Sequence, residues 1–191
     1  MKLILSKIKT YFGKLDKLLL FMCMGIACFA VFIQYTLYEN DISSAVTASQ
    51  YKTQIIAFIA GIVIAMALAA INYKYLAKLW FIYVPLAMGL TLLLFTPLGI
   101  QREGADDIGW LDLGIMTIQP SEILKLAFIL SLAVHLSKVE DRMNEPIHFI
   151  LLCIHGAIPT LLIRQTGDDG SALVFLFIFI CTVSYTHLRA H

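Results

Sequence analysis

Six apolar stretches, each close to the length that crosses a lipid bilayer, restrict this chain more than any other feature. They occupy residues 18–38, 54–71, 79–100, 120–136, 147–163 and 171–185, against the roughly 20 helical residues that span the hydrocarbon. Backbone amides and carbonyls have no water to bond there, so each stretch must satisfy them internally as a helix or join a closed barrel. No stretch shows the polar and apolar alternation of barrel strands. The expected fold class is all-α, a polytopic membrane protein with about six transmembrane helices. Composition agrees, since a 191-residue chain that is 60% hydrophobic cannot hide so much apolar surface in a water-soluble globule.

Basic residues supply an expected orientation. Lys2, Lys7, Lys9, Lys14 and Lys17 precede the first stretch, Lys74 and Lys78 lie between the second and third, and Lys138 and Arg142 between the fourth and fifth. On the opposite side stand Lys52, Arg102 and Arg164. Nine against three puts the N-terminus and the even-numbered loops in the cytoplasm, so the acidic loop with Glu103, Asp106, Asp107 and Asp112 faces outward. Residues 1–17 then form a cytoplasmic segment and 18–185 part of a single membrane domain. A basic start before an apolar run also suits a secretory signal, but this run is too long and no clean cleavage site follows it at 34–39, so it reads as a retained helix.

Short connections leave no room for a nucleotide-binding domain or a basic nucleic-acid surface. Cys23, Cys28, Cys153 and Cys181 fall inside the apolar stretches without forming a close metal-binding pair, and serve as small apolar fillers. The last eight residues, 184–191, break sharply from the apolar run before them and read as a non-native tail; for that reason the four-residue spacing of His187 and His191 carries no metal assignment.

The loop that enters the fourth stretch is chemically richer. Pro120 suits the first turn of a helix, where its missing N–H costs nothing. Glu122 follows in that turn, beside the positive end of the helix dipole, and Lys125 lies three residues on, on the same face. Two roles suit the pair: an ion pair that orders the bundle, or the rim of a polar cavity that recognises an anionic headgroup. Between the fifth and sixth stretches, Arg164, Thr166, Gly167, Asp168, Asp169 and Gly170 form a second polar cluster, whose carboxylates either cap the next helix or bind a cation.

Gly109-Trp110-Leu111-Asp112-Leu113-Gly114, followed by Gln119-Pro120-Ser121-Glu122 and then Lys125, resembles the signature of the shape, elongation, division and sporulation (SEDS) family. Asp168-Asp169-Gly170-Ser171-Ala172-Leu173-Val174-Phe175 is similar to that family's second motif, and the two occur in the expected order with a helical hairpin between them. The chain departs from the family pattern at Gly109, where many members carry a basic residue, and at Thr166-Gly167, where Gln-Pro or Gln-Asn is common.

The resemblance implies a peptidoglycan glycosyltransferase of the bacterial plasma membrane, with about ten helices of which this chain holds an N-terminal portion. Such enzymes polymerise lipid II at the outer face, in elongation, division or sporulation, beside a class B penicillin-binding protein. In that chemistry a sugar hydroxyl attacks an anomeric carbon while a lipid diphosphate departs. A carboxylate acts as general base, and basic side chains or a divalent cation stabilise the leaving group. By resemblance the catalytic aspartate is expected beyond His191, which leaves the chain inactive alone. Trp110, Gln119, Ser121, Glu122, Lys125, Arg102 and Asp168 are the expected substrate-binding or supporting residues, with no metal site assigned to particular residues and a divalent cation the one cofactor the chemistry leaves open. The alternatives are a lipid-linked precursor transporter, which would want charged residues deep in the inner halves of the spans, where none is evident, and a non-catalytic scaffold of the cell-wall machinery.

Overall fold

A computed structural model describes residues 16–40, 48–102, 104, 106–114, 117–143 and 145–189. Lys2, Lys7, Lys9, Lys14, Glu103, Ala190 and His191 lie outside the described residues. The chain divides into two compact units, Met1–Asn72 and Tyr73–His191.

The first unit is a helical hairpin of α1 (Lys17–Glu39) and α2 (Ala48–Ala70). Asp16 starts α1 by accepting the Leu19 N–H at 3.0 Å, and Asn40 ends it by donating its side-chain amide to the Thr36 carbonyl at 2.8 Å. No residue of α1 is buried, and Phe21, Ile26, Phe29 and Phe32 stand well exposed. A helix that is apolar all round and packs so little of itself against protein is solvated by lipid. Near the loop between the helices, Tyr51 lies parallel to Tyr38 with centroids 6.3 Å apart.

The second unit holds α3 (Tyr73–Lys78), α4 (Trp80–Leu92), α5 (Pro120–Val139), α6 (Pro146–Gln165) and α7 (Asp169–Arg189). Its core is built on α5, which contributes Leu124, Ala127, Phe128, Leu132, Leu136 and Val139 at helical spacing. Leu152 and Ile163 of α6 and Ala172 and Phe175 of α7 complete it, with the Phe128 and Phe175 rings 5.4 Å apart. Gly156 lets α6 and α7 approach closely: a Cβ there would lie 2.6 Å from the Phe179 ring.

Six apolar helices stand where the six stretches predict them, and the class is a helical polytopic membrane protein. Among the described residues four are long and apolar enough to cross a membrane: Lys17–Glu39, Gln50–Ala70, Pro146–Gln165 and Asp169–Thr186. α4 is shorter than its apolar run, because the chain leaves the helix through a 3-10 turn at Leu93–Phe95 and enters Pro97, which has no N–H to continue it. α7 is longer than expected, since its backbone stays helical through Arg189 rather than breaking at Ser184.

Between α4 and α5 lies a three-stranded antiparallel sheet, β1 (Gly99–Ile100), β2 (Trp110–Asp112) and β3 (Thr117–Ile118), with β2 in the middle. Its register pairs Ile100 with Trp110 and Asp112 with Thr117. Leu111, fully buried, anchors the sheet to the bundle.

Candidate functional site

The sheet closes one end of the second unit, and the polar residues singled out in the sequence gather there. β2 holds Trp110 in extended backbone, and the Arg102 guanidinium stacks over its ring at 3.6 Å from the centroid. Cation and aromatic face at that distance attract by about 0.5–2 kcal/mol. Asp112 turns its carboxylate back to accept the Gly114 N–H at 2.7 Å, and Gly114 takes a φ of 78° that suits glycine. Asp112 is thereby committed to shaping the turn.

Gln119 is the N-cap residue of α5 and Pro120 its first residue, as the proline predicts. The Gln119 side chain makes no capping bond, so its amide is left for other work. Lys125 Nζ donates to Glu122 Oε1 at 2.6 Å. The pair is asymmetric: Lys125 is 21% exposed and Glu122 59%. Two facing charges of which one is half in solvent contribute only about 0.2–1 kcal/mol to stability. Their consequence is positional, since the carboxylate holds the ammonium near the start of α5. Beside them Ser121 is buried, and its Oγ has no hydrogen-bond partner among the described residues.

The loop before β2 is tied to the α6–α7 turn. Ile108 N–H donates to the Thr166 carbonyl at 2.9 Å. Gly167, with a φ of 88°, would carry a Cβ 3.2 Å from the Asp107 Cα, so both conformation and contact call for glycine there. At Gly109 a Cβ would collide with the Asp107 carboxylate, which occupies the space a side chain would need. Asp168 accepts the Ser171 N–H at 2.8 Å and so caps α7. Its neighbour Asp169 reaches Arg164 Nε at 3.7 Å, both side chains being exposed. Of the two roles open to these carboxylates, capping is the one Asp168 fills. Among the described residues no three His, Cys, Asp or Glu side chains gather as metal ligands.

Both sequence motifs thus meet at one end of the bundle, joined through Ile108 and Thr166. Residues 14–191 match the model of the FtsW, RodA and SpoVE family, described as cell cycle proteins. The chain belongs to the FtsW/RodA/SpoVE family. It is 30% identical to a probable peptidoglycan glycosyltransferase FtsW of Geobacter sp. (strain M18), over 86% of this chain and 46% of that protein. The corresponding protein of Allochromatium vinosum is also 30% identical, over 85% of this chain and 41% of its own length. The chain therefore spans about half the length of these curated relatives.

Solved structures share the fold of this family member. One is a chain of a peptidoglycan synthase complex that coordinates polymerization and crosslinking, with a TM-score of 0.71, 22% identity, and coverage of 88% of this chain and 47% of that one. Another is the rod shape determining protein RodA of Thermus thermophilus, with a TM-score of 0.60, 24% identity, and coverage of 81% and 52%.

One polar cluster of this FtsW/RodA/SpoVE chain lies away from the motifs and is not legible in their spacing. His135 of α5 and His155 of α6 face each other with Nδ1 atoms 3.0 Å apart, and Ser131 Oγ lies 3.0 Å from His155 Nε2. The signal that could have exposed them is simple, for each histidine interrupts an apolar membrane stretch.

Proposed function

We propose that this chain supplies part of the substrate site of a peptidoglycan glycosyltransferase that polymerises lipid II at the outer face of the bacterial plasma membrane. The observation that carries the reading is the Glu122–Lys125 ion pair at the start of α5, at the end of the bundle where both family motifs meet. A lipid diphosphate needs concentrated positive charge beside a water-accessible path, and it leaves more easily when that charge is already in place. Lys125, oriented by Glu122, answers that need, while Arg102 on the Trp110 face offers a second cation in the connection that leads into α5. Gln119 and the unpartnered Ser121 hydroxyl offer hydrogen bonds to headgroup oxygens.

Nine basic residues against three support a cytoplasmic N-terminus, which turns the sheet end outward. Likeness to a chain of a peptidoglycan synthase complex supports work beside a class B penicillin-binding protein that crosslinks the product.

The test is binding of lipid II to the purified chain in lipid nanodiscs. Lys125→Ala should weaken binding about tenfold, the equivalent of about 1.4 kcal/mol, and leave binding of the same lipid without its diphosphate unchanged. Glu122→Ala should weaken it as well, and the double variant should lose less than the sum of the two. Equal binding by all variants would refute the site, and fully additive losses would refute the pairing.

A further inference from the structure

We propose that Ser131, His135 and His155 form a binding site for one proton, shared between α5 and α6 within the membrane bundle. Two facing Nδ1 atoms at 3.0 Å make a hydrogen bond only if one carries a hydrogen and the other presents a lone pair. Both carrying one would set two donors head to head, and neither carrying one would set two lone pairs against each other. The pair therefore admits one hydrogen in that gap.

Ser131 satisfies His155 in both neutral arrangements. Its Oγ lies 3.0 Å from His155 Nε2 and 3.1 Å from the Phe128 carbonyl. With the hydrogen on His155 Nδ1, Nε2 is bare and accepts from the Ser131 hydroxyl. With the hydrogen on His135 Nδ1, His155 carries its own on Nε2, donates it to Ser131 Oγ, and the hydroxyl turns to the Phe128 carbonyl. A single added proton fits as well: His155 then donates from both nitrogens, to His135 and to Ser131, and every donor of His155 and Ser131 keeps an acceptor. A second proton has no such place, because it would sit on the His135 Nδ1 that is already accepting. The site thus takes up one proton from the medium, releases nothing in exchange, and keeps its geometry in both states.

The surroundings restrict access without closing it. Ser131 is buried and the two rings are half-buried against protein. His155 and Ser131 also line an apolar cavity of about 160 Å³ with Val84, Met88, Phe128 and Pro159. Titratable groups on the packed elements include Lys138 on α5 and Glu140, Asp141 and Arg142 in the 3-10 turn after it, Cys153 and His148 on α6, the latter in an ion pair with Glu145 at 3.3 Å, Tyr83 on α4, Lys74, Tyr75 and Lys78 on α3, and Cys181 and Tyr185 on α7. Ten residues separate Lys125 from His135 on one helix, about 15 Å at 1.5 Å per residue. The proton site and the ion pair at the sheet end therefore lie on one helix.

The test is a histidine titration by nuclear magnetic resonance on the full chain, nitrogen-labelled at histidine and held in nanodiscs. His135 and His155 should respond together at one midpoint with uptake of one proton. His135→Asn should move the His155 midpoint by about one pH unit or more, as coupled groups require. Ser131→Ala, a small change inside an intact helix, should move it too, and helical circular dichroism reports whether each variant folds. Should a variant fail to fold, the shared midpoint of the unaltered chain decides. Two independent titrations, no uptake between roughly pH 4 and 9, or signals that ignore pH and change on adding a metal chelator would each overturn the proposal.

Discussion

Replacing Gly156 with alanine should act with opposite signs in two backgrounds. The residue is buried on α6, and a Cβ built on it would lie 2.6, 2.9 and 2.9 Å from three atoms of the Phe179 ring on α7. One of those is Cγ, where the ring joins its stem, so a rotation of the ring tip does not relieve the contact. Overpacking of this kind costs about 1–3 kcal/mol. Alanine is the better helix former by about 1 kcal/mol, so the net effect of Gly156→Ala is a loss of roughly 0–2 kcal/mol. With Phe179→Ala the clash disappears and only the helix term remains, so the same substitution now stabilises by up to about 1 kcal/mol. Reversible unfolding of the four proteins in mixed detergent micelles measures the cycle, with an expected coupling of about 1–3 kcal/mol. An identical effect of Gly156→Ala in both backgrounds would refute the close approach of α6 and α7 that frames the Thr166–Gly167 turn.

Gly167→Ala should destabilise by about 1–3 kcal/mol, since the backbone there is left-handed and the Asp107 Cα is in the way; unfolding of the variant against Gly170→Ala, which meets only the Asp168 carboxylate at 3.6 Å, isolates the effect. Asp168→Ala should cost about 1 kcal/mol through loss of the α7 cap while Asp168→Asn keeps most of it, and equal losses in the two would argue that the charge, not the cap, is what counts. For the orientation, Asp107→Cys and Asp169→Cys should react with an impermeant thiol reagent on intact cells and Asn144→Cys only after permeabilisation. Labelling of the last from outside would reverse the map.

The six apolar helices, the proline start of α5, the Glu122–Lys125 pair and the Asp168 cap were all determined by the sequence itself, because each depends on residues within about one or two helical turns of one another. Family membership was legible for a related reason, since the motif residues carry their spacing with them. Even the early end of α4 has a local cause in Pro97, although the apolar run alone hid it. What only the tertiary structure decided joins residues far apart in the chain. The Ile108 N–H finds the Thr166 carbonyl, Ser131 finds His155, and His155 finds His135. Periodicity shows which face of a helix is apolar, but not which neighbour packs against it or at what level. Two histidines in separate apolar stretches become one proton site only when α5 and α6 lie side by side in register, and that register is set by the packing of the whole core.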